Sequence, residues 1–190
     1  LHISCAYMGG GTPTTLSAPQ LHKLLSVVED CLPMEGCAEF TVEAGRPDTI
    51  TPDKLETLRD HGIRRISINP QTMEDSVLRA MGRSHTAGQI VEAMALAGAR
   101  FGGLVNMDLI AGLPTDTAEG FAYTLDRVLA MDPANITVHT LALKKGSRLT
   151  EEDPTGAGTA LCTPETVEAM LELAARRLRE GGYTPYYLYR

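Results

Sequence analysis

The residues whose types and settings suit ligand chemistry are the run Gly9-Gly10-Gly11-Thr12-Pro13-Thr14, then Glu43, Gln71, Arg83, Asp108 and His139. Three consecutive glycines let a backbone approach a ligand closely and take conformations closed to other residues. The run is not a phosphate-binding P-loop, because no Gly-Lys-Ser/Thr follows it; a tight turn is its plain alternative. Asp108 lies between Met107 and Leu109, and a carboxylate in such a setting is costly unless it is hydrogen-bonded or paired. It therefore accepts either from the backbone or from ligand hydroxyls. Gln71 offers an acceptor and two donors, for a sugar hydroxyl or simply to fix the turn after Pro70. Glu43 has Arg46 close in sequence as an ion-pair partner, Arg83 taken alone reads as a solvated surface residue, and His139 taken alone reads as a core histidine. Together these groups suit a ligand with an amino group, a carboxylate and vicinal hydroxyls. Glu43 and the glycine carbonyls would take the ammonium, Arg83 the carboxylate, and Gln71 with Asp108 the diol. No Ser-His-Asp order and no glycosidase-like carboxylate pair stands out.

The elements that must position these groups follow from periodicity. Short apolar runs predict strands at 1–8, 38–43, 65–69, 104–110, 136–140 and 184–189. Helical spacing predicts helices at 18–31, 52–61, 75–81, 87–99, 117–131 and 164–180. Ser17, Thr51 and Thr163 stand where N-caps belong, and Gly62 and Gly181-Gly182 stand where helices end. Strand and helix alternate with short connections, which means βαβ units and a parallel sheet. Residues 146–163 form the longest loop candidate. In parallel α/β folds ligands bind beyond the carboxyl ends of the strands. The glycine run, Glu43, Gln71, Asp108 and His139 each close one of five successive strands. Periodicity leaves the choice between a doubly wound sheet and a full or partial barrel open.

Composition narrows the classes. The 190 residues are 43% hydrophobic and 22% charged, enough for a real core in one domain spanning 1–190. A net charge of −7 and a pI near 5.2 have the wrong sign for nucleic acid or anionic lipid. Aromatic residues are 5% with no Trp, which disfavours stacking on single strands. No apolar run approaches the roughly 20 residues of a membrane span, and no signal peptide is evident, so a cytoplasmic setting is expected. Cys5, Cys31, Cys37 and Cys162 show no Cys-x-x-Cys spacing and read as reduced, mostly buried thiols. The chain begins at Leu1 inside an expected strand, which reads as a piece of a longer protein.

Taken in order, the motifs resemble a known family. They are Gly9-Gly10-Gly11-Thr12-Pro13-Thr14, Thr41-Val42-Glu43-Ala44, Arg65-Ile66-Ser67-Ile68-Asn69-Pro70-Gln71-Thr72-Met73, Met81-Gly82-Arg83 and Asn106-Met107-Asp108-Leu109-Ile110-Ala111-Gly112-Leu113-Pro114. The chain resembles radical S-adenosylmethionine (SAM) enzymes of the oxygen-independent coproporphyrinogen III oxidase group over essentially its whole length. Asn69-Pro70 before Gln71, with Val138-His139-Thr140-Leu141-Ala142, is similar to the coproporphyrinogen dehydrogenase HemZ branch. The resemblance implies an α/β fold, a partial (β/α)6 TIM-like barrel from its second strand onward, without the first strand and the cluster loop. It implies SAM held by Gly10, Gly11 and Thr12 at the methionyl end, Glu43 near the amino group and Arg83 at the carboxylate. Gln71 and Asp108 would hold the ribose, and Ala142 would give backbone contact near the adenine.

In this family a [4Fe-4S] cluster reduces SAM to a 5′-deoxyadenosyl radical, which takes hydrogen from a porphyrinogen propionate; carbon dioxide is then lost. An electron donor is the implied partner. The family's Cys-x-x-x-Cys-x-x-Cys motif is absent from these 190 residues, so the cluster ligands are expected upstream and no metal ligand is expected here. The implied activity is oxidation of coproporphyrinogen III to protoporphyrinogen IX. Two alternatives stand beside it: a haem-binding chaperone of the same family, and a cluster-free barrel binding a nucleoside or sugar phosphate.

Overall fold

A computed structural model of the chain describes residues 2–142 and 161–186. The elements run β1 (Cys5–Met8), α1 (Ala18–Cys31), β2 (Glu39–Gly45), α2 (Pro52–Asp60), β3 (Arg65–Gln71), α3 (Asp75–Ala80), α4 (Ala87–Phe101), β4 (Val105–Ala111), α5 (Ala118–Leu129), β5 (Asn135–Thr140) and α6 (Pro164–Glu180). The five strands form one sheet in the order β1-β2-β3-β4-β5. Spatial order equals chain order, which is the topology of a (β/α) barrel; a doubly wound sheet reverses its order at a switch point. β1 pairs with β2 and β2 with β3, both in parallel. The pairing of β2 with β3 sets Glu43 opposite Ser67 and then slips, so that Gly45 faces Ile68. That bulge sits beside the residues of interest, a common place for one.

The chain divides into two compact units. The first comprises Leu1–Pro70, Gly88–Met107 and Asp132–Ile136. Its core is built from Leu21 and Leu25 of α1, Leu55 and Leu58 of α2, Val42 and Ala44 of β2, Ile66 and Ile68 of β3, and Ile90 and Ala97 of α4. α1 begins with a full capping box: the Ser17 side chain serves the backbone at Gln20 and the Gln20 side chain accepts from Ser17 N at 2.9 Å. The second unit comprises Gln71–Ala87, Asp108–Met131 and Thr137–Arg190. Its core contains Met73, Leu78, Leu109, Leu113, Phe121, Leu125, Val128, Met170 and Ala174. Thr117 and Thr163 cap α5 and α6, accepting from Gly120 N and Thr166 N.

The structure corrects several sequence expectations. Thr51 makes no cap bond; its hydroxyl turns to Asp53 instead. β4 buries one face more deeply than the other: Val105, Met107, Leu109 and Ala111 are buried while Asn106, Asp108 and Ile110 are half-buried. β4 continues past Asp108 to Ala111, which puts Asp108 within the strand rather than at its end. Thr184, Pro185 and Tyr186 form no strand, and 187–189 lie outside the described residues. Most of the expected loop at 146–163 also lies outside them. None of the four cysteines is buried: Cys5 and Cys31 are exposed, and Cys37 and Cys162 are intermediate.

Candidate functional site

In the first unit the glycine run leaves β1 with positive φ at Gly10 (86°) and Gly11 (118°). A Cβ on either would meet nothing within 4 Å, so this stretch of backbone is open to an approaching group. Gly9 differs. A Cβ there would lie 2.6 Å from Tyr7 Cε1 and 2.7 Å from Glu43 Oε2, so the absent side chain is what lets Glu43 close on the run. Thr12 stands close to the same place, because a Cβ on Gly45 would lie 3.2 Å from Thr12 Oγ1 and 3.7 Å from Glu43 Oε1.

Glu43 is half-buried on β2. Asn69 Nδ2 donates to its Oε1 at 3.0 Å, and the Tyr7 hydroxyl reaches its Oε2 at 3.5 Å. Ser67 Oγ in turn donates to Asn69 Oδ1 at 2.9 Å. Arg46, the alternative partner expected for Glu43, pairs with Asp48 at 3.5 Å. Gly9, Thr12 and Glu43 are therefore brought together, and Tyr7, Ser67 and Asn69 join them.

In the second unit Gln71 ends β3 in a left-handed conformation, φ 68°, which non-glycine residues seldom adopt. It is 8% exposed, and its Oε1 is buried with no hydrogen-bond partner among the described residues. Arg83 follows α3, its backbone N–H donating to Leu78 O at 2.9 Å, and is half-buried. Asp108 and His139 are half-buried on β4 and β5. Ala142 is exposed beyond β5, whose exit is tied to the end of β4 by Leu141 N–H donating to Ala111 O at 3.0 Å.

Asp116 escaped the sequence reading. It is 8% exposed; its Oδ1 accepts from Thr117 N at 2.8 Å, and its Oδ2 is buried with no partner among the described residues. Burial foremost, with Glu74 adding to it, holds this carboxyl above the ordinary range against the opposing Thr117 bond. Cys162 Sγ reaches the carbonyls of Leu113 and Asp116, each at 3.4 Å, and burial with the nearby Asp116 raises its thiol. Asn69 did carry a signal in the sequence. It stands two residues from Ser67 on a strand, hence on the same face.

Taken unit by unit, these residues are of the donor and acceptor types that SAM calls for. Glu43 is a carboxylate held by neutral partners, Gly10 and Gly11 are open backbone, and Gln71 Oε1 is a buried acceptor that a ligand hydroxyl would satisfy. They do not fit an iron–sulfur cluster. Among the described residues no three His, Cys, Asp or Glu side chains are grouped to hold a metal.

Strand order defines an α/β protein of the partial-barrel class. The sequence profile of the radical SAM superfamily matches residues 2–128, and the chain belongs to that family. It is 40% identical over 189 residues to the oxygen-independent coproporphyrinogen-III oxidase-like protein HemZ of Bacillus subtilis, covering 99% of this chain and 37% of that protein. The heme chaperone HemW of the same organism is 33% identical over 143 residues, covering 75% of this chain and 38% of the relative. Among solved structures, coproporphyrinogen III oxidase (HemN) from Escherichia coli superposes with a TM-score of 0.84 at 29% identity, covering 96% of this chain and 42% of that one. The chain thus spans about two-fifths of the length of these relatives. Among the described residues no helix is long and apolar enough to cross a membrane.

Proposed function

We propose that this chain is the SAM-holding part of an oxidoreductase that converts propionate side chains of coproporphyrinogen III to the vinyl groups of protoporphyrinogen IX. The observation that carries the reading is the 40% identity to the HemZ relative along 99% of the chain. Gly10, Gly11 and Thr12 offer backbone and hydroxyl groups to the methionyl end of SAM. Glu43 takes the ammonium and Arg83 the carboxylate as a charge-assisted pair. Gln71 and Asp108 accept from the ribose hydroxyls, and Ala142 gives backbone contact to the adenine. SAM, together with a [4Fe-4S] cluster ligated outside these 190 residues, supplies the one-electron chemistry that removes hydrogen from the substrate. Each propionate loses a hydrogen atom, carbon dioxide and one electron, so an electron acceptor as well as the reductant of the cluster partners the protein, which acts in the cytoplasm.

Haem carriage is the second reading, favoured by the HemW relative matching 75% of the chain. The full-length protein, reconstituted anaerobically with iron and sulfide, separates the two. Coproporphyrinogen-dependent SAM cleavage with release of carbon dioxide supports the oxidoreductase. Tight haem binding without turnover sinks it in favour of the chaperone, and failure to assemble any cluster sinks both.

A further inference from the structure

The hydrogen bonds around Glu43 form a relay that runs away from the glycine run. Ser67, 3% exposed, donates to Asn69 Oδ1 at 2.9 Å, and Asn69 Nδ2 donates to Glu43 Oε1 at 3.0 Å. Both ends of the amide are engaged, so its orientation is set by its partners. The backbone assists. Pro70 confines Asn69 to extended conformations, and the pairing of Glu43 with Ser67 puts the carboxylate and the relay on one face of adjacent strands. With Oε1 held from behind, Oε2 is left toward Gly9, where a Cβ would stand 2.7 Å from it. The hydroxyl of Tyr7 meets Oε2 only at the long distance of 3.5 Å. Asn69 donates without adding charge, so the carboxylate keeps its full attraction for a cation. A lysine or arginine at the same place would cancel it.

We infer that Asn69 is a positioning residue that aims Glu43 at an ammonium group lying against Gly9–Gly11. The inference rests on the reading of this site as one for SAM and goes beyond it in assigning a role to Asn69. An amide that fixes one carboxylate oxygen removes the freedom the side chain would otherwise lose on binding. Recognition of the amino group, and of no other part of the ligand, then depends on Asn69.

The test uses the cluster-loaded full-length protein and two ligands that differ only in the amino group, S-adenosylhomocysteine and its desamino analogue. Asn69→Ala is expected to weaken S-adenosylhomocysteine binding about tenfold, the scale of one charge-assisted hydrogen bond, and to leave the desamino analogue unchanged. In a Glu43→Gln background the same substitution is expected to add nothing. Asn69→Asp, matched in volume, removes the donor and sets a like charge beside Glu43; it is expected to weaken S-adenosylhomocysteine further still. Equal loss for both ligands, no loss for either, or full additivity with Glu43→Gln overturns the assignment. A wild-type protein that binds neither ligand overturns the SAM reading itself, and the role of Asn69 with it.

Discussion

At Gln71 two costs coincide, a left-handed φ of 68° and a buried amide oxygen without a partner among the described residues. A non-glycine residue held in this way marks a site more often than a packing need. Gln71→Gly is therefore expected to be more stable than Gln71→Ala by about 1 kcal/mol, since only glycine takes left-handed backbone freely. Urea denaturation of the two variants checks it, and equal stabilities would remove strain from the account. Asp116 gives a second test, in pH. Its folded carboxyl lies above the ordinary 3.8 because burial disfavours the charge. A raised folded value means the protonated form favours folding: its contribution is complete below the unfolded value and is lost as pH rises through the folded one. Asp116→Asn keeps an acceptor for Thr117 N–H and buries an uncharged amide in place of a carboxylate. Its melting temperature is expected to exceed the wild type's near neutrality and to converge with it in acid below about 3.8; a constant offset at every pH would refute the linkage. Glu43 and Gln71 could be read from sequence because they stand near the carboxyl ends of apolar strands, Glu43 two residues inside the end of β2 and Gln71 at the end of β3. Asp116 could not, because its burial and its neighbour Glu74 come from packing between segments far apart in the chain.

Among the elements, helices were the most readable, since a stripe such as Leu21, Leu24, Leu25 and Val28 with a capping residue before it is local information, although Leu24 itself is exposed. The expected strand at the carboxyl end is not formed over Thr184–Tyr186, where Pro185 has no N–H to give to a ladder. The end of β4 was legible to within one residue, 110 expected and Ala111 observed, although Asp108 lies inside the strand and does not close it. Beyond β4 the chain turns at Gly112, φ 84°, where a Cβ would lie 2.8 Å from Val167 Cγ2 on α6. Gly102 shares a positive φ, 58°, but has nothing within 4 Å. Gly102→Ala isolates the backbone cost, about 1 kcal/mol, and Gly112→Ala adds overpacking of about 1–3 kcal/mol. Denaturant midpoints measure the difference, and equal losses at the two sites would show that Val167 moves aside freely.

For the whole molecule, the sheet order and the family membership have different origins in the sequence. Strand order depends on pairings no local pattern encodes, whereas the order of motifs from Gly9 to Pro114 was visible along the chain. The same sequence holds no Cys-x-x-x-Cys-x-x-Cys, so any affinity for SAM that depends on a cluster is beyond these 190 residues. The side chains proposed here for SAM supply at most the ammonium, carboxylate and hydroxyl contacts, and a bound cluster would add whatever contact its iron makes. Ligand-linked stability separates the two contributions, because a ligand at one hundred times its Kd stabilises the folded state by about 2.7 kcal/mol. Thermal melts of the 190-residue chain are expected to shift little with millimolar SAM, and those of the cluster-loaded full-length protein to shift by several degrees at the same concentration. Equal shifts would mean that Glu43, Gln71 and their neighbours carry the whole affinity, and that the cluster contributes chemistry without binding.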